Sequence, residues 1–305
     1  MIKTTNKNLP IKITLNDIIN LLPNRPANSH KGMFGNLFCA CGSLGMIGAA
    51  VLSARSALKC GVGIVNILSP NCIYPILANH LLESIFTVIE EDYENNLSNK
   101  SKTKILQALK KSDSCLLGCG LGNNNLSHNI IKFIINSCNS PLIIDADGIN
   151  FISNNIDLLN KIKNQVILTP HPAEMARLLN TSVIDVQQNR YTYARDFAKK
   201  FNVTLVLKGM GTLIAVPSGK VYINETGNSG LSKGGSGDIL AGMIASFAAQ
   251  GLNNENAALC GVYLHGLAGD ICSRYLSQTS MLPSDIINKL PDLFLKIEKT
   301  EIKNI

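Results

Sequence analysis

Asp238 closes a stretch, GNSGLSKGGSGDIL (227–240), in which glycines, serines and a single acid crowd together before an apolar run. Ile239, Leu240, Met243, Ile244 and Phe247 recur with the helical period, so a helix is expected to begin near Asp238. The first amides of a helix have no partner inside it, and the positive end of the helix dipole lies behind them. Gly234, Gly235, Ser236 and Gly237 let that backbone close on an anion, which makes the stretch an anion hole suited to a phosphate. The same positive end is expected to keep Asp238 ionised, able to orient or deprotonate a hydroxyl attacking the phosphate. The plainer alternative is an ordinary helix start, worth about 1 kcal/mol of capping.

Further reactive side chains stand where strand-like runs end. Asp145 and Asp147 in DADGIN can hold magnesium through water, hydrogen-bond ligand hydroxyls, or cap the following helix. LTPHPAEMARLL (168–179) holds His171 between two prolines, with Glu174 on the first turn of a helix where it can accept from unpaired amides. His171 there serves either substrate contact or structural bonding. LKGMGT (207–212) brings Lys208 and two glycines to a strand end, or else forms a hairpin corner. No GxxxxGK[ST] occurs, and GCGLGN has Asn123 where a dinucleotide fingerprint needs its third glycine. The nine cysteines form no CxxC, and no HExxH occurs, which argues for buried thiols rather than structural zinc.

The elements that must position these groups alternate. NLFCACGS (36–43), GIVNILSP, SIFTVIEE, SCLLGCGLG, PLIIDADGIN, QVILTPHP and TLVLKGMGTLIAVPSG read as strands. A small-residue helix is expected over 45–61, others near 101–111, 126–138, 172–180 and 184–200, and two long ones in DILAGMIASFAAQG and ENAALCGVYLHGLAGDICSRYL. TLIAVPSGKVYIN reads as an added antiparallel hairpin turning at Ser218-Gly219, and 92–103 as a polar loop open to insertion. Strands separated by helices imply a doubly wound α/β domain with a mostly parallel sheet covered on both faces. In such a sheet ligands sit beyond the carboxyl ends of the strands, so Gly42-Ser43, Gly118 to Gly122, Asp145 and Asp147, Thr169 to His171, and Lys208 to Thr212 are expected along one rim.

Composition bounds the partners. Of 305 residues, 46% are hydrophobic and 16% charged, which is globular rather than disordered. The net charge of +7 is scattered and tryptophan is absent, so no basic, aromatic-lined stripe for nucleic acid is read. A mildly basic surface also suits an enzyme of phosphorylated ligands. No apolar run is long enough for a membrane span and the start lacks a secretory core, so a soluble, cytoplasmic protein is expected.

Taken together, the motifs carry a resemblance. GNSGLSKG beside GSGDILAG resembles the anion-hole signature of the ribokinase-like superfamily. HKGMFGNLFCACGSLGMIGAAVLSARSALKCGVGIV, IDADGIN, LTPHPAEMARLL, LKGMGTLIA and LHGLAGD are similar, in order and spacing, to the ADP/ATP-dependent NAD(P)H-hydrate dehydratases. The likeness runs over residues 12–295 and implies a three-layer ribokinase-like α/β fold in one domain, without the N-terminal epimerase domain that many relatives carry. The epimerase is then expected on a separate chain, and a homo-oligomer, a tetramer by analogy, is implied.

The resemblance also implies an activity. Hydrated NADH or NADPH (NADHX, NADPHX) is returned to the normal cofactor at the expense of ADP, giving AMP and phosphate, or of ATP, with magnesium as cofactor and no assignable metal ligands. The 6-hydroxyl would be phosphorylated and expelled with its phosphate by the ring nitrogen's lone pair. Carried over by position, Asp238 matches the catalytic acid, and Ala49, Gly122, His171 and Asp238 the hydrate contacts. Lys208, Gly209, Met210, Gly211 and Thr212 match the nucleotide-binding strand end, and Asn228 to Gly237 the loop over the phosphates. The small residues of 45–60 would let the bulky substrate lie against the backbone, and Lys233, in LSKGGSGD where MATGGTGD is common, would add charge near the phosphates. GCGLG for the usual GPGLG loses a stiffening proline; DADGIN has glycine for alanine and PHPAE alanine for glycine. A vitamin-precursor kinase acting on hydroxyethylthiazole or hydroxymethylpyrimidine is the rival of the same fold, against which the 31–65 and 168–179 segments argue. A non-catalytic nucleotide-binding regulator is the rival of another class, against which Asp238 argues.

Overall fold

The computed structural model describes residues 9–90 and 96–299. Ten strands form one sheet: β1 (Ile11–Lys12), β2 (Asn36–Ala40), β3 (Ile64–Pro70), β4 (Ile85–Ile89), β5 (Ser114–Leu117), β6 (Leu142–Ile144), β7 (Val166–Leu168), β8 (Thr204–Leu207), β9 (Thr212–Ala215) and β10 (Val221–Asn224). Their spatial order is β1-β10-β9-β8-β7-β6-β5-β2-β3-β4. From β8 through β4 every pairing is parallel, and β8–β9 and β9–β10 are antiparallel. The run TLVLKGMGTLIAVPSG is therefore two strands with a hairpin corner at 208–211, because Gly209 (φ 128°) and Gly211 (φ 64°) reverse the chain there. The expected hairpin turning at Ser218-Gly219 is present as β9–β10.

Alternating strand residues feed two cores, as a period of two demands. Leu37, Cys39, Leu116 and Ile143 face one side, and Phe38, Ala40, Cys115 and Leu117 the other. Against the first side pack α1 (Leu15–Leu21), α2 (Ile47–Lys59), α3 (Tyr74–His80), α10 (Ser236–Ala249), α11 (Asn254–Ser273) and α12 (Pro283–Glu298). Against the second pack α4 (Asn99–Leu109), α5 (Asn125–Ser137), α6 (Asp147–Ser153), α7 (Pro172–Leu179), α8 (Val183–Gln188) and α9 (Arg190–Phe201). The fold is the three-layer α/β arrangement expected.

Several boundaries move. The helical pattern over 184–200 breaks at Asn189 into α8 and α9. The polar segment 92–103 is helical from Asn99, capped by the Ser98 hydroxyl, and its residues 92–95 lie outside the described ones. Eight cysteines are buried as small apolar side chains, and Cys72 is exposed. No described helix is long and apolar enough to cross a membrane.

Two features place the site. Between β2 and β5 the strand order reverses, which is where ligands of open α/β sheets collect. Beside it, α2 and α10 approach closely: a side chain at Gly242 would overlap the Ser53 carbonyl oxygen, and Ser56 Oγ donates to Ile239 O at 3.1 Å. The small residues Ala50, Ser53, Ala54, Ser56 and Ala57 are buried. They serve helix packing rather than the close substrate approach expected of them; only the half-buried Ala49 and exposed Gly48, at the start of α2, face outward.

Candidate active site

The helix after the glycine loop begins two residues earlier than its apolar pattern suggests. Gly235 takes a left-handed backbone (φ 99°) as N-cap, and Ser236, Gly237 and Asp238 are the first three helical residues. Ser236 N donates back to Lys233 O at 3.2 Å, while the amides of Gly237 and Asp238 stand where a helix supplies no acceptor. No side chain caps this terminus, so Asp238 is not the N-cap. A Cβ on Gly237 would lie 3.4 Å from Lys208 Nζ, so the lysine stands at the mouth of α10 and only a bare backbone leaves that space open.

Around this mouth the rim supplies a compact set of charges. Asp145, at the end of β6, accepts on Oδ1 from Lys208 Nζ (2.7 Å) and from Thr169 Oγ1 (2.7 Å). Lys208 Nζ also lies 3.8 Å from Glu174 Oε2. Burial works against the Lys208 charge, but Asp145 and Glu174 outweigh it and hold its pKa above the ordinary value. Burial pushes Glu174 up to about 7, and the nearby lysine only partly offsets this.

Asp238 departs from expectation. Burial first, then the field of Asp145, raises its pKa to about 6, against the lowering pull of Cys119 and Lys208. The helix start alone does not hold it in the ordinary carboxylate range. A carboxylate near 6 is a better proton acceptor near neutrality than one near 4. Cys119 Sγ donates to Asp145 Oδ2 at 3.6 Å, and ligand atoms of Cys119, Asp145 and Asp238 lie within 4.8 Å of one another. A hydrogen bond with Cys41, then burial, keeps the Cys119 thiol well above its usual pKa, hence protonated.

The residues expected to contact the substrate stand along the same rim. Gly122 N donates to Asp147 Oδ2 at 2.7 Å, so Asp147 shapes the β5 loop and does not cap α6. Between the two acids Ala146 holds a positive φ of 50°, a strained backbone of the kind that collects at functional sites. Gly120 and Ala49 close the other wall: a Cβ on Gly120 would come within 2.6 Å of Ala49 Cβ. His171 is the N-cap of α7, its Nδ1 accepting from Ala173 N (3.1 Å) and Glu174 N (3.2 Å), while Glu174 Oε2 accepts from His171 N (2.7 Å). That is the structural alternative; the side chain is 46% exposed and its Nε2 lies 3.4 Å from Glu174 Oε1.

The residues expected to meet the nucleotide differ in their surroundings. Lys208 is at the centre; Gly209, Gly211 and Thr212 build the hairpin corner, with Thr212 Oγ1 donating to Gly209 O (2.9 Å), and Met210 is fully exposed at its tip. Gly234 has open space around it. Asn228 is occupied in the loop itself: its Nδ2 donates to Asp270 Oδ1 (3.0 Å) and its Oδ1 accepts from Gly230 N (3.0 Å). Lys233, expected to add charge near the phosphates, is tied down by Nζ donating to Thr279 O (2.6 Å) and Met281 O (2.7 Å).

Three residues were not anticipated. Arg190 ties the hairpin corner, donating to Leu207 O, Lys208 O and Gly211 O at 3.1–3.2 Å. His265 Nε2 lies 3.3 Å from Ser236 Oγ, and Asp270 holds the glycine loop. Arg190 carries no local signal, whereas His265 and Asp270 sit in LHGLAGD, a motif quoted without a role. A separate cavity of about 680 Å³ opens between α4 and α5, lined by Lys102, Asn129, Lys132 and Phe133; none of the rim residues reaches it.

A family model described as NAD(P)H-hydrate dehydratase matches residues 37–292. Over 284 residues the chain is 37% identical to a bifunctional NAD(P)H-hydrate repair enzyme of Moorella thermoacetica, covering 93% of this chain and 53% of that protein. It thus spans about half the length of that relative. Over 252 residues it is 37% identical to an ADP-dependent (S)-NAD(P)H-hydrate dehydratase of Neisseria meningitidis, covering 81% and 80%. Among solved structures, the ADP/ATP-dependent NAD(P)H-hydrate dehydratase of Bacillus subtilis co-crystallised with ATP/Mg2+ superposes with a TM-score of 0.80 at 28% identity, covering 95% of this chain and 99% of that one.

Proposed function

Since the chain belongs to the NAD(P)H-hydrate dehydratase family, we propose that it converts NADHX and NADPHX to NADH and NADPH with ADP, or ATP, as phosphoryl donor. The observation that carries this reading is the convergence of an Asp238 carboxylate raised to about 6, the open mouth of α10 and the Lys208 ammonium at one rim. In this reading Asp238 takes the proton of the 6-hydroxyl as that oxygen attacks the terminal phosphorus, and the P–O bond to the leaving nucleotide breaks. The amides of Gly237 and Asp238 and the Lys208 ammonium stabilise the charge that develops on the phosphoryl oxygens. The phosphate then leaves with the hydroxyl oxygen, and loss of a proton from the neighbouring carbon completes the double bond.

Substrate would lie against Ala49, Gly122 and His171, and nucleotide against the 208–212 corner and the 228–237 loop. Two carboxylates from different elements, Asp145 and Asp238, come together at the rim, and their oxygens suit a hard cation such as Mg2+. Such an ion would offset phosphate charge; the Cys119 thiol is no ligand for it. A homo-oligomer belongs to the same reading, as does treating residues 12–295 as one catalytic domain. Incubating NADHX with the protein, magnesium and either nucleotide, and following NADH absorbance, tests it. NADH is expected to form, faster with ADP; no NADH with either nucleotide from folded protein refutes the reading, and a stable phosphorylated vitamin precursor would favour the kinase rival.

A further inference from the structure

We propose that one face of helix α11 is the mould of the phosphate loop, with Asp270 and Gly266 as its positioning residues for the nucleotide. The proposal rests on the reading of 227–237 as a nucleotide loop. The glycines of that loop make it permissive, and permissiveness alone does not select one conformation. Selection has to come from outside the loop: Ser229 and Lys233 bond to Gln278, Thr279 and Met281, and α11 contacts the start of the loop and Ser236 at its end.

Residues 263, 266 and 270 share a face by the helical period, flanked by 265 and 269. Asp270 grips the start of the loop with both oxygens, Oδ2 accepting from Gly227 N (2.8 Å) and Oδ1 from Asn228 Nδ2 (3.0 Å). Asn228 passes this on by accepting from Gly230 N. Two turns earlier, Tyr263 O accepts from Thr226 Oγ1 at 3.0 Å. At Gly266 a Cβ would overlap Thr226 Oγ1 and stand 2.7 Å from the carbonyl carbon and oxygen of Thr226, so the absence of a side chain sets how deeply the loop seats. At Gly269 the nearest atom would be a Leu231 methyl at 2.8 Å, a flexible end that can move aside. At the far end of the loop His265 meets Ser236, the first residue of α10. LHGLAGD thus contacts both ends of the anion site, while the hydrate wall of Ala49, Gly122 and His171 is built on other elements.

A merely stabilising helix would affect both substrates alike when altered; a mould for the loop would affect nucleotide alone. Asp270→Asn places a donor where one of two N–H groups now finds an acceptor. It is expected to weaken ADP binding, measured by isothermal titration, by about tenfold or more, since bonds to a charged acceptor are involved. Gly266→Ala is expected to act in the same direction, and Gly269→Ala to change ADP affinity by less than about threefold. The KM for NADHX should stay within about twofold of wild type in all three. ADP affinity unchanged in folded Asp270→Asn and Gly266→Ala, or equal losses for ADP and NADHX, would overturn the proposal. Should Asp270→Asn not fold, Asn228→Ala removes the loop's half of the same bond and decides by the same criterion. Failure of the wild-type protein to bind ADP would instead refute the nucleotide reading on which the mould depends.

Discussion

Asp238 earns its proposed part from its surroundings, since an aspartate left in water would be too weak a base for the step assigned to it. Asp238→Asn keeps shape and loses the base. ADP affinity by titration is expected within about threefold of wild type, while NADHX turnover falls by about a hundredfold or more. With the free carboxyl near 6, kcat/KM for NADHX should fall along an acid limb with an apparent pKa close to that value. A pH profile flat down to the ordinary aspartate range would contradict the assignment. Glu174 offers a stability test. Its folded value of about 7 lies above the ordinary 4.5, so across that window the native state keeps a proton that the unfolded chain has released. Stability from this group is therefore full below about 4.5 and declines as pH rises towards 7. Glu174→Gln should flatten that part of the pH dependence in urea unfolding; an unchanged slope would show that the carboxyl does not titrate there.

Elements were legible to different depths. Long periodic segments such as α5, α10 and α11, and the strands with apolar runs, follow from period and turn residues alone. Short helices such as α3 and α6 offer too few turns for a period to show, and α8 and α9 share one continuous pattern that only the kink at Asn189 divides. The small residues of α2 were visible, but a helical period does not say what their stripe meets; here it is buried against α10. Gly242→Ala should accordingly destabilise the protein by about 2 kcal/mol in denaturant unfolding, because the added methyl strikes the Ser53 carbonyl as well as Ser56 Oγ, and the backbone cannot yield as a side chain could. At the hairpin corner, Arg190 reaches three carbonyls through its planar fork, which a lysine cannot reproduce. Arg190→Lys is expected to raise the nucleotide KM about threefold or more, with kcat less affected. A KM equal to wild type would reduce Arg190 to a surface tie.

For the whole molecule, the order of strands does most of the work of bringing the site together. β8, β7, β6, β5 and β2 are neighbours running in parallel, so polar breaks far apart in sequence fall on one rim beside the switch point. That is why Asp145, Thr169, His171, Lys208 and Asp238 could be proposed together from the sequence. Their hydrogen bonds could not, because Lys208 pairing with Asp145, Lys233 anchored on backbone oxygens and Asp270 gripping the loop depend on tertiary distances that no spacing encodes. The central claim is that this rim transfers a phosphoryl group to the hydrate's own hydroxyl oxygen before that oxygen leaves. NADHX carrying heavy oxygen at the 6-hydroxyl, turned over with ADP, tests it most directly by mass spectrometry of the inorganic phosphate. Recovery of the label in phosphate is the predicted result, and label released into water with unlabelled phosphate would contradict the account.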